Sequence, residues 1–140
     1  MRFMVIVKAS PESEEGQMPT TEDLTKMGNF NEELVKAGVM LAGDGLYPSS
    51  KGKRVAFDAK GATTVIDGPF TETKELIAGY WIWELPTLED AVEWVKKAPF
   101  WDGEVEIRQI HGTEAFDDVM TPELQEQDDR LREQIAAQNK

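Results

Sequence analysis

The chain has 140 residues, with 15 basic against 27 acidic side chains and a net charge of −12. Its length fits one domain, and its acidity argues against nucleic acid and anionic membranes as partners, since both need a basic footprint. With no cysteine in the sequence, disulfides, zinc–thiolate sites, iron–sulfur clusters and thiol catalysis are excluded.

The first residues, MRFMVIVKA, look like the start of a signal peptide. The apolar part is too short for one and no long apolar run follows, which points to a soluble, cytoplasmic protein. Phe3 to Val7 reads as a strand. Residues 10–19 are polar, contain two prolines and read as a loop. A helix begins at Thr20 or Thr21, either of which can cap it. Leu24, Met27, Phe30, Leu34 and Val35 recur at helical spacing, and Gly38 ends it. Val39 to Ala42 is a second strand, leading into Gly43-Asp44-Gly45-Leu46, a β-bulge or a turn. Arg54–Asp58 and Thr63–Asp67 form a hairpin, and Gly68-Pro69 breaks the chain. Thr71 to Leu76 is one charged turn, and Gly79 to Leu85 is a strong strand. Thr87-Leu-Glu-Asp90 resembles a capping box. It opens a helix with Leu88, Ala91, Val92, Val95 and Ala98 on one face, limited by Pro99. Glu104 to Ile110 is the last strand.

This order, β-α-β, a hairpin, then β-α-β, predicts an α+β, ferredoxin-like double βαβ with an inserted hairpin over residues 1–112. Residues 113–140 form an acidic helical extension, with Thr121-Pro122 at the helix start and a thin stripe of Leu124, Leu131 and Ile135. Two helices cover only one face of a four-stranded sheet. Yet the first strand is apolar on both sides, Phe3, Val5 and Val7 against Met4 and Ile6, and so is the Gly79–Leu85 strand. That pattern predicts a homodimer burying the second face.

The segment Asp67-Gly-Pro-Phe-Thr-Glu-Thr-Lys-Glu75, followed by Ile77-Ala-Gly-Tyr-Trp81, resembles the signature of the YCII-related, or DGPF, family. Gly38-Val39 with Ala42-Gly-Asp-Gly-Leu46 matches a second feature of that family. The resemblance covers residues 1–110 and implies a dimeric α/β barrel with clefts between sheet and helices that take small molecules. Isomerases, lactonases and dechlorinases occur in the superfamily. It further implies an association with sigma-factor regulation through gene neighbourhood, and a His–Asp pair whose histidine comes from the first strand region. This sequence has no histidine there.

The candidate site residues divide by chemistry. Asp67 is a general base, or it accepts N–H groups of the turn at Gly68. Glu72 and Glu75, three apart, share a face and can act as acid and base, or they are a solvated run. Lys74 can clamp an anion. Asp44 is either part of a β-bulge or turn, or one member of a carboxylate pair with Asp67 across the sheet. Tyr80 and Trp81 can wall a pocket, though an aromatic strand also serves as core. Ser49 and Ser50 have no histidine nearby and suggest no nucleophile. His111, the lone histidine, is read as solvated. The resulting expectation is a small-molecule-binding protein that needs no cofactor or metal. Asp67, Glu72 and Asp44 are its catalytic candidates, and Lys74, Glu75, Tyr80 and Trp81 its ligand-binding candidates. A dimeric regulatory or interaction module is the alternative.

Overall fold

The computed structural model describes residues 1–72 and 75–139. The chain separates into two compact units, Met1–Ile110 and His111–Lys140. In the first unit, strands β1 (Arg2–Lys8), β2 (Met40–Gly45), β5 (Ile77–Glu84) and β6 (Val105–Gln109) form one antiparallel sheet in the order β2-β5-β1-β6. Strands β3 (Lys53–Phe57) and β4 (Thr63–Asp67) pair as a separate two-stranded sheet. Helix α2 (Thr21–Lys36) joins β1 to β2, and α3 (Leu88–Val95) joins β5 to β6. This is the ferredoxin-like α+β arrangement with an inserted hairpin.

Alternation along the strands sets the two faces. Phe3, Val5, Trp81 and Trp83 are buried, and they cluster with Phe30, Leu34, Val39, Leu85 and Ala91. Met4, Ile6, Tyr80 and Ile82 lie on the other face and are half-buried.

Thr20 starts α2 with a reciprocal capping box to Asp23, and Gly38 follows its end at φ +73°, where a glycine carries no Cβ penalty. The apolar stripe of α2 is narrower than the sequence indicates, because Leu24 and Val35 are 61% and 62% exposed. At about 100° per residue they stand about a quarter turn from the Met27–Phe30–Leu34 line. Asn31 falls between, at the edge of the buried stripe.

Three expectations change. Residues 10–19 are not all loop: Ser10 and Ser13 cap each other and start a short helix, α1 (Pro11–Glu14). Strand β2 runs on through Gly43, Asp44 and Gly45, which pair with Trp81, Tyr80 and Gly79. Glycine reads as a breaker in sequence, but on an edge strand it can continue the ladder. At α3, the Thr87 hydroxyl accepts the Asp90 N–H at 3.1 Å, which is half of the capping box.

In the second unit, helix α4 (Pro122–Gln138) starts at Thr121, whose hydroxyl accepts the Leu124 N–H at 3.2 Å. Leu124, Leu131 and Ile135 remain about half exposed. His111 is exposed, with its ring 5.1 Å from that of Phe116. Among the described residues, no helix is long and apolar enough to cross a membrane.

Candidate functional site

A hollow of about 250 Å³ lies where α2 passes over the ends of β2 and β5. Its floor is glycine. Gly43, Gly45 and Gly79 all line it, and the strand register sets them on the face that carries Trp81. A Cβ on Gly43 would stand 2.7 Å from Trp81 Cδ1 and 2.9 Å from Met40 Cε. Only glycine lets the indole lie against β2 there. Gly79 is similarly tight, its Cβ position being 3.0 Å from the Asp44 carbonyl oxygen.

Met27, Val7, Trp81 and Phe100 wall the hollow. Trp81 meets Phe100 edge to face at 6.1 Å and Phe30 at 5.8 Å. Its indole N–H donates to Asn31 Oδ1 at 2.9 Å, which ties α2 to β5 across the hollow. Asp44 and Tyr80 line it too, and the Tyr80 hydroxyl donates to Asp44 Oδ2 at 3.2 Å. The hydrogen bond to Asp44 and then its charge push the Tyr80 hydroxyl above its ordinary value of 10.0, so it stays protonated. Alternation directs these two side chains to the sheet face opposite Trp81.

The signature segment is built differently. Asp67 ends β4 opposite Lys53, and Lys53 Nζ stands 2.5 Å from its Oδ1. Both side chains are well exposed, so the pair adds little stability. Asp67 therefore does not face Asp44 across one sheet. The cross-strand neighbour of Asp44 is Tyr80, and Asp67 belongs to the hairpin. After it, the Gly68 N–H donates to the Gly52 carbonyl at 3.0 Å. The Phe70 N–H donates to Ser49 Oγ at 3.0 Å, and the Arg54 guanidinium lies 3.8 Å from the centre of the Phe70 ring. Ser49 is held in turn by Glu14: its N–H donates to Oε1 at 3.1 Å, and its hydroxyl makes a short hydrogen bond to Oε2. The serine has no histidine, as the sequence shows, but it does have a carboxylate partner from α1. The pairing is a latch that fixes the turn.

Glu72 and Glu75 stand close enough for their carboxyls to influence each other. The Glu75 N–H donates to the Glu72 carbonyl at 2.9 Å. A side-chain hydrogen bond with Glu72, and then the Glu72 charge, raise the Glu75 carboxyl above 4.5, with Lys8 and Arg54 opposing. A raised value means that stability associated with this pair is complete below 4.5 and is lost as the pH rises through the folded-state value. Glu75→Gln is therefore expected to raise the melting temperature at pH 7 and to leave it unchanged near pH 4. Parallel shifts at both pH values would show that the two carboxyls do not interact. Lys74 lies outside the described residues.

The structure thus gathers Asp44, Tyr80 and Trp81 around one hollow, pairs Glu72 with Glu75, and sets Asp67 on Lys53. Asn31 and Phe100 carry no motif that sequence reading could use, whereas Gly43, Gly45 and Gly79 stand in the two segments that resemble the family. A second hollow, of about 300 Å³, lies within the other unit among Phe116, Val119, Leu124 and Leu131. No buried side chain walls it, whereas Trp81 walls the first.

The fold and the hollow define a ferredoxin-like α+β protein with a hollow between sheet and helix. The YCII-related domain model matches residues 1–114, and the chain belongs to that family. Among solved structures it is similar to 5-chloro-2-hydroxyhydroquinone dehydrochlorinase from Burkholderia phenoliruptrix AC1100, determined with 2,5-dihydroxybenzoquinone. The two are 18% identical, with 81% of this chain and 98% of the other covered and a TM-score of 0.40. No curated protein matches the chain.

Proposed function

We propose that the protein binds a small organic molecule in the hollow beside β2, and that Asp44 serves there as proton acceptor. The observation that carries this reading is the glycine floor beneath a buried indole. Gly45 leaves open space on the face of Trp81, a Cβ there meeting no described atom within 4 Å, while Gly43 and Gly79 let the Trp81 indole and the β2 backbone close in beside it. Ligand sites combine apolar walls with a few polar groups; Asn31 supplies one from α2, and Asp44 and Tyr80 stand across the β2 edge on the opposite face. Because β2 is an edge strand, a ligand passing Gly45 reaches the carboxylate. Tyr80 holds Asp44 in place and keeps its own proton, so the pair can accept and return a ligand proton without a cofactor. The Glu72–Glu75 pair is a second proton-sharing group, and Lys74 and Asp67 stand in the same signature segment. Ligand-detected NMR with a set of single-ring fragments tests the reading. Saturation transfer to ring compounds, together with a shift of the Trp81 indole N–H signal, is expected; fragments that leave that signal unmoved would overturn it.

We propose also that a second copy covers the open sheet face. Met4, Ile6 and Ile82 are half-buried there, within a rim of Arg2, Glu84, Glu106 and Arg108. A rim with both signs of charge can complement itself about a two-fold axis. Light scattering at micromolar concentration should give the mass of a dimer, and a monomer mass would refute the arrangement.

A further inference from the structure

The inserted hairpin carries an apolar face of its own. Direct cross-strand partners share one face of a sheet. Lys53 with Asp67, Val55 with Val65, and Phe57 with Thr63 therefore form three rows on one side of β3 and β4. Arg54 and Ile66 are on the other side. That side turns to the signature segment, since the Arg54 guanidinium lies 3.8 Å from the centre of the Phe70 ring. The three rows are left facing outward: Val55 is 52% exposed, Val65 61% and Phe57 77%. A two-stranded hairpin is marginal in water unless something covers it, and here the centre of the uncovered side is apolar. The ion pair of Lys53 and Asp67 closes one end of the patch.

We propose that this side of the hairpin is an interface with the same side of a second copy of the chain. The rows carry their own complement. A two-fold axis parallel to the strands sets Lys53 of each copy over Asp67 of the other, Val55 over Val65 and Phe57 over Thr63. At the spacing of packed sheets, about 10 Å, the four charges then alternate in sign while the valines and phenylalanines close on one another. An axis across the strands would instead lay each ion pair on Phe57 and Thr63, where no charge answers it. Asp67 of the signature segment thus works on the outside of the fold, as half of a self-recognising ion pair. Three apolar side chains from each copy make less than a standard interface, so the contact is reversible, with a Kd on the order of 100 µM. It lies on a different sheet from the open face proposed above, and it joins the dimers formed there in pairs.

Analytical ultracentrifugation of the full chain, from about 10 µM to about 1 mM, brackets that Kd. The average mass is expected to climb across this range toward twice its starting value. Asp67→Lys sets lysine over lysine and should remove the climb, as should Lys53→Asp, which sets aspartate over aspartate. The two substitutions together restore opposite charges in each row and should bring the climb back. That recovery also shows that the single variants fail through charge and not through unfolding. A constant mass for the unaltered chain would overturn the proposal. So would a climb that Asp67→Lys leaves intact, which would place the contact on another surface. A loss in both single variants that the double variant does not recover would equally rule out the paired rows as the interface.

Discussion

Trp83→Ala is expected to lower the unfolding free energy by about 3–5 kcal/mol, the cost of deleting a large aromatic from a closed core. Trp83 is fully buried. It packs on Trp81 at 5.5 Å and on Phe30 at 6.3 Å between ring centres, so sheet, α2 and the neighbouring wall of the hollow all lose a contact together. Chemical denaturation should show a lower midpoint with an unchanged slope. The indole nitrogen of Trp83 is buried without a hydrogen-bond partner among the described residues. A buried donor without a partner works against the fold, so Trp83→Phe, which removes it along with one ring, should cost much less than Trp83→Ala. Equal losses in the two variants would mean that the indole N–H is satisfied in solution.

Gly68→Ala is the second substitution expected to act strongly. A Cβ there would stand 1.7 Å from the Ser49 carbonyl oxygen and 2.6 Å from its carbonyl carbon. Both are backbone atoms, so no rotamer change relieves the collision. The Ser49 turn is itself held by Glu14 and by the Phe70 N–H. The signature turn must either part from it or drag it away from α1. Overpacking costs about 1–3 kcal/mol in ordinary cases, and a collision between backbone segments should reach the upper end or exceed it. Thermal melts of Gly68→Ala against the unaltered chain measure this. A melting temperature within experimental error of the original would show that the turn is not pressed on Ser49.

The fold was legible because its signals are local. Thr20, Thr87 and Thr121 cap helices through hydroxyl groups that one residue type and its spacing specify. Alternation in MRFMVIV and GYWIWEL sets the two faces of the sheet without knowledge of the partner strands. The site was legible only in part, because it depends on register and on packing at a distance. The sequence shows that Asp44 sits between glycines. It does not show that those glycines stay in the ladder opposite Trp81 and Gly79, which turns a supposed turn into the floor of a hollow. Asp67 looked like a partner for Asp44 because both follow strands near glycine, but the hairpin forms its own sheet and gives Asp67 to Lys53. Asn31 is one of four polar residues between Met27 and Leu34, with Asn29, Glu32 and Glu33, and nothing in the spacing singles it out. Its role follows only from the indole that β5 brings to it. Glu14 was hidden in a segment read as loop, since a box of two serines is a weaker pattern than one of threonine and acid.

The most direct test of the hollow as the ligand site is to fill it from its floor. Gly45 suits this, because a Cβ there meets no described atom within 4 Å and the residue lines the hollow. Gly45→Leu should therefore fold like the unaltered chain while its side chain occupies the ligand's space. The measurement is ligand-detected NMR of the single-ring fragments with the two proteins side by side. Binding to the unaltered chain and at least about a tenfold loss in Gly45→Leu, the effect of direct steric exclusion, is the predicted result. Equal binding to a folded Gly45→Leu would place the ligand elsewhere and contradict the assignment.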